Sequence, residues 1–84
     1  MADPAVRTIL TERLGARLVR LGLSPSDLTD DLDLVRSGVL DSLGFVDLIA
    51  DLESATGKRV DLERALEHRN ATTVANVITL FANA

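Results

Sequence analysis

Val6, Ile9, Leu10, Leu14, Leu18 and Leu21 recur three and four residues apart, which lines all six along one face of a helix. The same spacing returns in Leu43, Val46, Ile49 and Leu52, with Leu48 beside them, and in Val74, Val77, Ile78 and Phe81. No stretch alternates apolar and polar residues as a half-buried strand would. The chain is therefore expected to be all-α. Pro4 suits the first turn of helix one and Gly22 its stop. The second helix starts at Asp41 or Ser42, either of which can cap it, and ends near Thr56-Gly57. A short third helix runs from Asp61 to about Glu67, with Leu62, Ala65 and Leu66 facing inward, and His68-Arg69-Asn70 breaks it. Thr72 or Thr73 caps the fourth. The expected architecture is three longer helices plus a short third one, with a long loop between helices one and two.

With 84 residues this reads as one domain spanning 1–84, too small to enclose a deep active site. The only aromatics are two phenylalanines, so the core must be aliphatic. There is no cysteine, which removes disulfides, thiolate catalysis and zinc-thiolate sites together. Met1-Ala2-Asp3-Pro4 carries no signal-peptide pattern and no apolar run reaches membrane-spanning length, so a cytoplasmic location is expected.

Charge is unevenly spread. Residues 27–53 hold eight acids against Arg36, a net of −7, whereas residues 1–26 sum to +2 and residues 54–84 to +1. The acidic stretch disfavours nucleic acid, whose phosphates it would repel, and favours a basic protein partner. Arg7, Arg13, Arg17 and Arg20 read as a solvated face of helix one, opposite its leucines. His68 reads as a helix-end residue suited to the C-terminal dipole.

Inside the acidic stretch stands Ser37-Gly38-Val39-Leu40-Asp41-Ser42-Leu43-Gly44-Phe45-Val46-Asp47-Leu48. It follows a loop over residues 23–41, long for so small a domain, whose Leu28, Leu32, Leu34, Val39 and Leu40 should pin it to the core. Ser42 has no base and orienter in sequence context, and the strand-turn-helix setting of a serine hydrolase is missing. A serine at a helix start is commonly just a cap. Here it sits where a loop meets a helix, within reach of an enzyme that could attach something to it.

Those residues, with Val46-Asp47-Leu48-Ile49, Leu52-Glu53, Gly57 and Thr72-Thr73-Val74, resemble the acyl carrier protein family, the phosphopantetheine-binding carriers of fatty-acid, polyketide, peptidyl and D-alanyl pathways. The similarity covers nearly the whole chain. Gly38-Val39-Leu40, Gly44 and Ala50 look closer to stand-alone aminoacyl, D-alanyl and peptidyl carriers than to a fatty-acid carrier. The resemblance implies a four-helix acyl-carrier-like bundle and a non-enzymatic role. It implies that Ser42 bears 4′-phosphopantetheine transferred from coenzyme A, whose thiol would be the only one on a chain without cysteine. It also implies partner contacts through Asp41, Leu43, Val46, Asp47, Ala50 and Glu53. The partners would be a phosphopantetheinyl transferase, an acyl- or aminoacyl-loading ligase or adenylation enzyme, and a downstream acceptor enzyme, each meeting a monomer. No nucleic acid, membrane or metal is implied. The competing expectation is an unmodified acidic helical module that binds a protein through the same second helix.

Overall fold

The computed structural model describes residues 4–83. Helices form where the periodicity places them: α1 over Pro4–Arg20, α2 over Ser42–Thr56, α3 over Leu62–Ala65 and α4 over Val74–Ala82, with a 3-10 turn at Pro25–Asp27. Among the described residues there is no strand, only an isolated antiparallel bridge between Asp33 and Thr73. None of the helices is long and apolar enough to cross a membrane. The described residues thus form an all-α bundle of four helices, the acyl-carrier-like architecture that the resemblance implied.

α1 packs against both α2 and α4. It buries Val6, Leu10, Leu14 and Leu18 against Phe45, Leu48, Ile49 and Leu52 of α2 and Val74, Val77, Ile78 and Phe81 of α4. Each fully buried leucine or phenylalanine contributes roughly 1.5–3 kcal/mol by leaving water. α1 closes in a Schellman motif: Leu23 N–H donates to Leu18 C=O at 2.8 Å and Gly22 N–H to Val19 C=O at 3.1 Å. Gly22 takes the left-handed conformation this requires, with φ at 74°. The helix therefore ends before Leu21, which is 49 % exposed and does not join the inner stripe as its spacing implied.

Three other expectations are corrected. The buried face of α2 is Phe45-Leu48-Ile49-Leu52, while Leu43 and Val46 point to solvent. Phe45 outcompetes them because its larger apolar surface belongs to the same stripe as Leu48, Ile49 and Leu52. α3 stops at Ala65, beyond which the backbone tightens into turns with Glu67 N–H on Arg64 C=O and His68 N–H on Ala65 C=O, both at 3.2 Å. Leu66 is left 48 % exposed. Arg7 does not share a solvated face with the other arginines. It donates to Leu28 C=O at 2.9 Å and pairs with Asp30, tying α1 to the long loop.

That loop is held by its own leucines and by the segment leading into α4. Leu28, Leu34, Val39 and Leu40 are buried. Leu34 N–H donates to Thr72 C=O and Val74 N–H to Leu32 C=O, each at 2.9 Å. Asp33 sits between them. Its Oδ1 accepts from Val35 and Arg36 N–H at 3.0 Å and from the Thr72 hydroxyl at 2.5 Å. Burial pushes the Asp33 carboxyl up, but these hydrogen bonds and the Arg36 guanidinium together hold it below the ordinary aspartate value. A depressed carboxylate stabilises the fold fully above the unfolded-state value near 3.8, and that contribution is lost as pH falls through the folded value. The stability advantage of wild type over Asp33→Asn, measured by urea unfolding across the acid range, is therefore expected to shrink as pH drops below about 4. An advantage independent of pH would contradict this role.

Candidate functional site

The N-terminus of α2 emerges from a short anchored segment. Gly38 turns the chain with φ at 85°, its N–H donating to Val35 C=O at 3.1 Å. Val39 and Leu40 then bury themselves, and Leu40 N–H donates to Leu34 C=O at 2.8 Å. Two buried residues thus fix the position of the two exposed ones that follow, Asp41 and Ser42.

Asp41 is the cap. Its backbone is extended, with φ −87° and ψ 178°, and its Oδ1 accepts from Gly44 N–H at 2.6 Å. Its C=O accepts from Phe45 N–H at 2.9 Å. Ser42 is the first helical residue. Its hydroxyl makes no hydrogen bond among the described residues, and it is exposed. Of the two capping candidates in the sequence, the aspartate does the capping and leaves the serine free.

Gly44 makes the cap possible. A Cβ there would lie 3.0 Å from Asp41 Oδ1 and 3.3 Å from Leu40 Cδ2. Alanine elsewhere in a helix gains about 1 kcal/mol over glycine. Here Leu40 is buried and the carboxylate is seated on the Gly44 N–H, so the methyl would displace the cap and offset that gain. Gly44→Ala is expected to leave the melting temperature unchanged or a few degrees lower. A rise of several degrees would show that the close approach imposes no constraint.

Along α2, Leu43 is 73 % and Val46 43 % exposed, and Asp47, Ala50 and Asp51 are also on the surface. Four of the six residues named for partner contact, Leu43, Val46, Asp47 and Ala50, thus share the outer face of α2, and the fifth, Asp41, stands exposed at its cap. Glu53 is set apart: it is half-buried, and its Oε2 accepts from Val60 N–H at 3.0 Å, fastening the segment that leads to α3.

Among the described residues no side chain is hydrogen-bonded to the Ser42 hydroxyl. His68 lies exposed in the turn after α3, where it lines an open groove with Arg59 and Arg64, and no hydrogen bond joins it to Ser42. Among the described residues no cluster of His, Asp and Glu could hold a metal ion. Sequence reasoning missed the role of Gly44 and the Asp33–Thr72 contact; the first could have been suspected from a glycine inside a helix opposite a capping aspartate.

A family model described as the phosphopantetheine attachment site matches residues 5–78. No curated protein and no solved structure matches the chain.

Proposed function

Because this chain belongs to the phosphopantetheine attachment site family, we propose that Ser42 is its attachment residue and that the arm shuttles a thioester-bound acyl or aminoacyl group between partner enzymes. Members of this family are non-catalytic carriers of covalently attached 4′-phosphopantetheine. When bound, the group supplies a thiol at the end of a flexible arm, on a chain that has no cysteine of its own.

The division of labour between Asp41 and Ser42 carries the reading. A serine engaged as a cap would have its hydroxyl turned into the helix and its removal would cost stability. Asp41 takes that task, so the Ser42 hydroxyl remains exposed and unengaged. The residues fit the group. Ser42 and Leu43 contribute the first N–H groups of a 15-residue helix, which have no backbone acceptor and favour a phosphate diester on the adjacent oxygen. The Asp41 carboxylate opposes part of that attraction, and its remaining lone pairs are open to a cation in the transferase complex.

Leu43, Val46 and Ala50 form an exposed apolar strip flanked by Asp47, and we assign partner docking to this face. The transferase, the loading ligase or adenylation enzyme and the acceptor would meet it in turn. Glu53, whose carboxylate accepts from Val60 N–H and so fastens the segment leading to α3, is left out of the contact set. A tethered cargo is delivered at high effective concentration whenever a partner docks, so each contact can be weak and brief.

Incubation with coenzyme A and a broad-specificity phosphopantetheinyl transferase, followed by intact mass spectrometry, tests the proposal. One added phosphopantetheine group per chain is the expected result. A folded chain that takes none from several active transferases would leave only the reading as an unmodified binding module.

A further inference from the structure

The cleft between α1 and α2 is lined by Arg13 and Arg17 on one side and by Asp47 and Asp51 on the other, with Gly44 at the end nearest Ser42. All four charged residues are exposed. Each pair is spaced one helical turn apart, so two rows of opposite charge run side by side. Arginines placed there to neutralise the acids would be found paired with them. They are not: among the described residues the ion pairs are Arg7–Asp30 and Arg36–Asp33. Arg7 is thus used inside the fold, while Arg13 and Arg17 keep their charge for solvent or for a visitor.

This arrangement constrains what can dock. A uniformly basic surface laid on α2 would meet Asp47 and Asp51 favourably but would press cations against Arg13 and Arg17. Like charges brought together at an interface cost affinity and suppress wrong partners. We propose that the docking footprint crosses the cleft onto α1, and that enzymes serving this carrier present carboxylates to Arg13 and Arg17 beside the cations that meet Asp47 and Asp51. The partner class is a protein with a two-signed patch. The inference rests on the carrier reading and adds the α1 contact to it.

Single charge reversals test it. Arg13→Glu and Arg17→Glu are compared with Arg20→Glu, which makes the same change in net charge at an exposed site outside the cleft. The assay is steady-state modification at low salt by a transferase that modifies the wild-type chain, with folding checked by circular dichroism. Arg13→Glu and Arg17→Glu are each expected to raise KM about fivefold with kcat little changed, and Arg20→Glu to leave both within about twofold. If the arginines only dilute the acidic surface, the two reversals will lower KM instead. A fall, or no change, overturns the two-signed footprint while complete modification at saturation leaves the carrier reading standing. Failure of the wild-type chain to be modified removes the carrier reading and this proposal with it.

Discussion

Ser42→Ala is expected to abolish phosphopantetheine attachment completely while leaving the melting temperature within about 2–4 °C of wild type. The exposed hydroxyl makes no hydrogen bond in the fold, and surface substitutions away from caps and packing usually stay within about 0.5 kcal/mol. Asp41→Ala is the matched opposite. It removes the acceptor of the Gly44 N–H and is expected to cost about 1 kcal/mol, a shift of several degrees in a domain of this size. Thermal unfolding of the two variants, with intact mass after transferase treatment, separates attachment from capping. If Ser42→Ala proved the more destabilising, the serine would be acting as the structural residue and the assignment would lose its main support.

Phe81→Ala carries the largest stability effect. The ring is fully buried in α4 and belongs to the cluster shared with α1 and α2. Its backbone C=O also accepts from Lys58 Nζ at 3.0 Å, tying the end of α4 to the segment after α2. Truncating a buried phenylalanine costs roughly 3–5 kcal/mol. Small domains have roughly 5–15 kcal/mol in all, so the variant should lose a large share of its stability. Far-ultraviolet circular dichroism during urea titration is expected to show a midpoint far below wild type. A midpoint within experimental scatter of wild type would mean that α4 does not close the core.

How much of this was readable beforehand depends on how locally each feature is determined. α4 was legible residue by residue: Val74, Val77, Ile78 and Phe81 are all buried and Thr73 accepts from Asn76 N–H at 3.2 Å. Its stripe is uninterrupted, and its cap lies next to it in sequence. The limits of α2 were legible for the same reason, with Asp41 before it and Gly57 after it, the latter at φ 71° with its N–H on Glu53 C=O. The facing of α2 was less so. Leu43, Val46, Ile49 and Leu52 fit helical spacing as well as Phe45, Leu48, Ile49 and Leu52 do. Only the packing of α1 decides which set turns inward. Contacts far apart in sequence left no local trace. Asp33 with Thr72, Arg7 with Leu28 and Asp30, and Glu53 with Val60 all look like ordinary surface charges in the sequence, yet each holds a segment in place.

The site itself was partly legible. The run around Ser42 singles out the serine proposed for attachment, and the family match over residues 5–78 spans that run. What the run could not decide was whether the hydroxyl was engaged in capping. Two adjacent residues, Asp41 and Ser42, are equally good caps by type. The choice is made by the burial of Val39 and Leu40, which sets where the chain turns into the helix, and by Gly44, which leaves room for the aspartate carboxylate.

The most direct measurement is peptide mapping of the modified chain by tandem mass spectrometry. Ser24, Ser26, Ser37, Ser42 and Ser54 all offer hydroxyls to a transferase. The phosphopantetheine group is expected on the peptide containing Ser42, bonded to that oxygen, with the other four serines unmodified. A group mapped to any of those four would contradict it.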